Sequence, residues 1–232
     1  MFNFFQNADL TTIIMLVASR ILIVLFLLPV HECAHGWVAS KLGDNTAKYQ
    51  GRLTLNPIKH LDPIGTISMV LFGFGWAKPV PINPYNFRKN PKAGMAITAA
   101  AGPLSNLVVA FILLLLDKLL ILMAFMIPGL GQSGFIVMID SVLSMMFSIS
   151  VMLAVFNLIP FPPLDGSRIL MYFLPDRITQ KVYQYEQFLF IGLMLLVATG
   201  ALNYPISIVG NFVIKFLDFI TGFMDIFINM VA

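Results

Sequence analysis

His31-Glu32-Cys33-Ala34-His35 lies toward the end of a long apolar run, residues 10–39, and that placement limits what the chain can fold into more than any other feature. On a helix, residues i and i+4 share a face, so His31 and His35 can turn their ring nitrogens toward one metal ion. Glu32 sits one position round. It is poorly placed to be a third ligand, but it can reach a water held by that metal and take its proton. Residues 21–30 contain no polar side chain, so three ionisable groups follow directly on a stretch built for hydrocarbon. Groups of that kind at membrane depth are costly and mark function by default. The combination points to metal-assisted hydrolysis within a bilayer.

The rest of the chain suits that setting. Of its 232 residues, 59% are hydrophobic and only 11% are charged, with a mean hydropathy of +0.89, a balance that soluble domains of this length do not carry. Apolar runs at residues 10–39, 93–127, 135–159, 188–202 and 205–232 approach or exceed the roughly 20 residues needed to cross a bilayer core. The expected fold class is therefore an all-α polytopic membrane protein with about five transmembrane helices, one of them broken. The first run is too long for a cleaved signal sequence and carries the motif in its C-terminal half, so it is expected to persist in the mature protein. Residues 41–92 form the longest stretch without a strong apolar run. No separate soluble domain is evident, and residues 1–232 read as one integral-membrane domain, with 1–175 as the core and 176–232 as C-terminal helices.

Lys41, Lys48, Arg52, Lys59, Lys78, Arg88, Lys89 and Lys92 all fall between the first and second runs, which predicts a cytoplasmic loop and an outside N-terminus. Residues 128–134 carry no charge, and Arg168, Arg177 and Lys181 again cluster between the third and fourth runs. The net charge of +3 thus reflects topology, and no nucleic-acid partner is expected. Arg20, inside the first run, is read as snorkelling or facing a protein interior. Lys215 and Asp218 read as an i,i+3 ion pair in the last run, which either spans the membrane or lies in its interface.

Two histidines do not complete a catalytic zinc site, which takes three protein ligands and an open position. The third is expected from Asn157-Leu158-Ile159-Pro160-Phe161-Pro162-Pro163-Leu164-Asp165-Gly166, where three prolines end a helix and Asp165 begins another. Irregular backbone at membrane depth is tolerated only inside protein or along a wet cavity, so the break itself suggests a site. Asp165 can supply a hard oxygen ligand and can also cap the new helix. Asn157 can hold an extended substrate backbone or a developing oxyanion; its other reading is to bridge carbonyls where the helix stops. Asn106 is a second candidate for substrate binding, with a helix–helix hydrogen bond as its alternative use beside the small residues Gly94, Ala99, Ala100, Ala101 and Gly102. Cys33, the single cysteine, points about 160° away from His31 and reads as a packed residue. His60 is a further candidate ligand by residue type alone, with a polar surface or interface role as the alternative.

Gly51-Arg52-Leu53-Thr54-Leu55-Asn56 and residues 78–83 read as short membrane-associated β-strand segments. An exposed strand edge beside the metal would hold a substrate helix once unwound.

With these residues in view, the chain resembles the site-2 protease family of intramembrane zinc metalloproteases, in which a helix-borne H-E-x-x-H is paired with a distant L-D-G. The resemblance extends to Ala101-Gly102-Pro103-Leu104-Ser105-Asn106 and to Phe74-Gly75-Trp76-Ala77-Lys78-Pro79-Val80-Pro81-Ile82-Asn83, followed by Asn90-Pro91. It implies one zinc ion per chain held by His31, His35 and Asp165, Glu32 as the catalytic carboxylate, and a helper amide at Asn157. It further implies cleavage of transmembrane protein or peptide substrates in a bacterial-type cell membrane, such as single-span proteins already trimmed by another protease. No room is expected within residues 1–232 for the PDZ and CBS domains some members carry. The active site is expected toward the cytoplasmic side, where the first helix ends. A zinc-binding transporter or channel is the alternative, since intramembrane His, Glu and Asp also mark ion pathways.

Overall fold

A computed structural model describes residues 10–72 and 75–231 of the chain, so Phe74 and the outermost ends of the expected domain lie outside the described residues. The chain starts as helix α1 (Leu10–Leu22), passes through a π-helical turn (Ile23–Leu27) and continues as α2 (Leu28–Leu42). Pro29 explains the irregular turn, because it has no N–H to offer the carbonyl one turn back. The Leu28 N–H bonds instead to the Ile23 carbonyl, i→i−5. Such bulges gather at functional sites, and this one ends four residues before His31 and re-phases the helix that carries it.

Between α2 and the second long helix come α3 (Thr46–Tyr49), a 3-10 turn at Pro57–Lys59 and α4 (Pro63–Phe72). The Asp62 carboxylate accepts the Gly65 N–H at 2.8 Å and starts α4. Arg20 resolves its own anomaly at the other end. Its buried guanidinium donates to the Val70 and Leu71 carbonyls at 2.6 and 3.1 Å, satisfying acceptors that a helix end leaves orphaned.

The long helix α5 (Pro91–Met126) opens on an Asn90 cap that accepts the Lys92 and Ala93 N–H groups. Then follow α6 (Gly134–Asn157), α7 (Asp165–Phe173), α8 (Asp176–Gln184), α9 (Glu186–Ala198), α10 (Asn203–Thr221) and α11 (Phe223–Val231). Helices α5 and α6 form the centre. Ala110, Leu113 and Leu114 meet Phe147, Val151 and Val155, with Leu217 of α10 closing this core. A second cluster joins Ile23, Val24 and Leu27 of the π turn to Met69 of α4. α5 meets α2 through small residues, Gly102 against the His31 and His35 rings and Thr98, whose carbonyl lies 2.7 Å from His35 Nδ1. Small residues let the backbones approach closely, which is how a metal site fits between the two helices.

Two expectations are corrected here. Among the described residues four helices, not five, are long and apolar enough to cross a membrane: Val17–Leu42, Pro91–Met126, Gly134–Asn157 and Asn203–Thr221. The run at 188–202 forms α9, whose 13 residues rise only about 20 Å against a hydrocarbon core of about 30 Å. The last run divides at Gly222 into α10 and α11. The described residues also contain no β-strand. Residues 51–56 contain turns and bends, and residues 78–83 join no sheet: Pro79 and Pro81 lack N–H groups, and the Lys78 and Val80 N–H groups go to the His60 carbonyl and to Glu32.

Asp218 also pairs differently from expectation, with Lys118 of α5 at 2.7 Å rather than with Lys215, and Asp225 of α11 binds the same ammonium at 2.7 Å. Lys118 is buried, so this junction ties the C-terminal helices to the core. Lys118→Met should cost about 1–3 kcal/mol, the range for hydrogen bonds to charged groups, because the ammonium is buried while Asp218 and Asp225 are 59% and 46% exposed and strand no buried charge. Reversible unfolding in detergent reads this directly; a loss below about 1 kcal/mol shows that the junction is idle.

Candidate metal centre

His31 and His35 lie one turn apart on α2, and both are buried. Asp165 reaches them from the first position of α7, directly after the proline-rich turn. Gly166 makes that approach possible, because a Cβ there would stand 2.1 Å from the Leu158 carbonyl oxygen. The Asp165 Oδ2 lies 3.2 Å from His31 Nε2 and 3.3 Å from His35 Nε2, and the two Nε2 atoms are 3.1 Å apart.

These separations test whether a metal fits. Zinc with ligands at about 2.0–2.1 Å in tetrahedral geometry sets them about 3.3 Å apart, close to the triangle observed. The donor set agrees, two imidazoles and one carboxylate. Among the described residues, His31, His35 and Asp165 are the only group of three or more His, Cys, Asp or Glu able to hold a metal ion. Burial alone would raise the Asp165 carboxyl, yet the two imidazoles beside it draw it well below the ordinary carboxylate range. It stands as an anion facing the other two donors.

Glu32 faces the same cavity of about 450 Å³, whose walls also include Val80, Phe156, Asn157, Phe190 and Leu193. The Val80 N–H donates to Glu32 Oε2 at 2.9 Å. The segment that supplies it is held from several sides. Arg52 donates to the Lys78 and Pro79 carbonyls at 2.6 and 3.3 Å, and the Lys78 N–H bonds to the His60 carbonyl at 2.8 Å. Asp44, at the end of α2, accepts the Asn83 N–H at 2.7 Å and the Asn86 amide at 2.9 Å. Burial works to raise the Asp44 carboxyl, but hydrogen bonds from Thr46, Asn86 and Asn83 prevail and hold it low, so it stays charged at neutral pH. These clamps were not foreseen from the sequence, which reads residues 78–83 as a strand segment.

Asn157 lines the cavity and also donates to the Leu153 carbonyl at 2.9 Å, so its cavity position coexists with bridging at the helix end. Asn106 is elsewhere: it is buried behind His31, with its amide nitrogen 3.2 Å from Nδ1. Cys33 is half-buried and outside the metal group. His60 is fully buried rather than at the surface, its Nε2 on the Thr54 carbonyl at 2.7 Å, and it too is outside the group.

Apolar spans around a two-histidine, one-carboxylate cavity with an adjacent glutamate define a zinc-dependent hydrolase of the membrane. Comparison with known proteins makes this specific. Peptidase family M50 matches residues 120–199, a stretch that takes in all of α6, the proline-rich turn and Asp165. A Bacillus subtilis (strain 168) protein named "Putative zinc metalloprotease YwhC" is 45% identical over 174 residues, covering 75% of this chain and 77% of its own. Rip2, a similarly named protein of Mycolicibacterium smegmatis, is 29% identical over 186 residues, covering 75% of this chain and 64% of its own. A third, from Methanocaldococcus jannaschii, is 30% identical over 150 residues, covering 61% and 63%. No solved structure matches significantly. The chain belongs to the site-2 protease family, peptidase family M50, and is an intramembrane zinc metalloprotease. Neither the site nor these relatives support the transporter reading.

Proposed function

We propose that this chain cuts transmembrane protein or peptide substrates, with His31, His35 and Asp165 holding one zinc ion and Glu32 as general base and acid. The observation that carries the assignment is the convergence of three donor atoms 3.1–3.3 Å apart on the cavity that Glu32 also lines. Zinc, when bound, polarises the scissile carbonyl and makes water nucleophilic near neutral pH. Glu32 takes the proton of the attacking water and returns it to the leaving nitrogen. The Val80 N–H anchors Oε2 and leaves Oε1 for that transfer.

The substrate enters from the bilayer and unwinds, since a peptide bond inside a helix cannot be presented to the site. Residues 79–82, whose Val80 N–H is taken by Glu32, offer it the Ile82 N–H and their carbonyls as backbone partners, and the Asn157 amide holds the chain as well. Residues 1–232 act as one domain, with 1–175 as its catalytic core. The basic residues between the first two spans support a cytoplasmic active site in a cell membrane.

Purified protein in detergent should cleave a tagged single-span substrate, lose that activity when 1,10-phenanthroline strips the metal, and regain it on zinc addition. Cleavage that continues after measured zinc removal rules the reading out.

A further inference from the structure

Thr98, Gly102 and Asn106 fall at i, i+4 and i+8 of α5, one stripe facing the two zinc-site imidazoles of α2. Each touches them differently. His35 Nδ1 lies 2.7 Å from the Thr98 backbone carbonyl, an oxygen that can only accept. The His35 proton therefore sits on Nδ1, and its Nε2 is left bare toward the metal triangle. His31 needs the same tautomer, because its Nε2 faces the same triangle. The neighbour of its Nδ1 is the side-chain amide of Asn106, at 3.2 Å, with both residues buried.

An amide can meet that nitrogen in two ways. With Nδ2 toward it, Nδ1 would have to be bare and the proton would lie on Nε2, the atom turned to the metal. The same orientation leaves Asn106 Oδ1 buried and unpartnered. A half-turn about the terminal torsion, which is two-fold and nearly neutral in shape, puts Oδ1 on the Nδ1–H. The rest of the site requires that arrangement. Ser150, fully buried on α6, donates to the Asn106 backbone carbonyl at 2.8 Å and holds this turn of α5 in register with His31.

We propose that Asn106 is a positioning residue of the zinc centre: its amide oxygen accepts the His31 Nδ1–H and fixes the tautomer and ring orientation that free Nε2 for zinc. This rests on His31 being a ligand, and it replaces the substrate-binding role expected of Asn106, which does not line the cavity.

Zinc affinity tests the proposal without reference to catalysis. Wild type, Asn106→Asp, Asn106→Leu and His31→Ala, purified in detergent, are titrated against a chromophoric chelator, and their cobalt-substituted forms are compared by visible absorption. Aspartate keeps an acceptor and lacks the donor, so it should hold zinc within about threefold of wild type and preserve the cobalt bands, as carboxylate–histidine–zinc arrangements do. Leucine has no acceptor, so it should weaken zinc about 10–100-fold and shift the bands. Where leucine fails to fold, as judged by the melt of the chelated protein, Asn106→Ala takes its place with the same expected loss. Aspartate binding as weakly as leucine overturns the proposal, as does leucine binding like wild type. If His31→Ala itself binds zinc like wild type, the ligand reading has failed first.

Discussion

Glu32→Gln should bind zinc as tightly as wild type and cleave substrate about 10²–10⁴-fold more slowly, the range for losing a general acid–base group. The substitution is close to isosteric, and glutamine's Oε1 can accept the Val80 N–H that Glu32 accepts now at 2.9 Å. The side chain should therefore keep its place. What disappears is the capacity to take a proton from water and return it to the leaving nitrogen, worth about 3–5 kcal/mol of barrier at that rate loss. Single-turnover cleavage of a tagged substrate and a zinc titration on the same preparation separate the two effects. A variant that retains more than about a tenth of the wild-type rate removes Glu32 from proton transfer. One that loses zinc along with activity makes it a structural residue instead.

Those parts of the site that depend on neighbouring residues were readable in the sequence. The i,i+4 spacing of His31 and His35 fixes their common face, and three prolines in eight residues forecast the end of α6 at Asn157 and the restart at Asp165. Parts that depend on distant pairings were hidden. Lys118 meets Asp218 and Asp225 across about a hundred residues, and nothing local distinguishes that bond from the i,i+3 pair that Lys215 and Asp218 suggest. Residues 188–202 are apolar enough for a span, yet they form a short helix that lines the cavity with Phe190 and Leu193 and meets Trp76 edge-to-face at 6.0 Å. Hydropathy reports the wish to avoid water, and a protein-lined cavity wall satisfies it as well as lipid does. The alternation at residues 78–83 was real, but its prolines confine the usable N–H groups to one edge, and Val80 spends its own on Glu32. The stripe Thr98, Gly102, Asn106 was legible only as small and polar residues suited to helix packing, because its meaning lies in the imidazoles opposite.

Gly102→Ala should lower zinc affinity by at least about a hundredfold, more than the usual effect of an outer-shell change. A Cβ at Gly102 would stand 2.4 Å from His35 Nε2 and 2.5 Å from both His31 Cε1 and His35 Cε1, far inside contact distance. Neither ring can withdraw freely. His35 is fixed by its bond to the Thr98 carbonyl and His31 by its contact with Asn106, so α5 and α2 must separate or the rings must rotate. Metal–ligand distances tolerate only about ±0.2 Å, and a shift sufficient to clear the methyl group exceeds that several-fold. Helix propensity argues in the opposite direction, since alanine gains about 1 kcal/mol over glycine in a helix interior. Gly192 of α9 supplies the control, because a Cβ there meets nothing within 4 Å, so Gly192→Ala should be neutral or stabilising and leave zinc untouched. Zinc titration of both variants gives the comparison. Equal zinc affinity in Gly102→Ala and Gly192→Ala means that the two helices can part without cost, and the close crossing then has no role in building the metal centre.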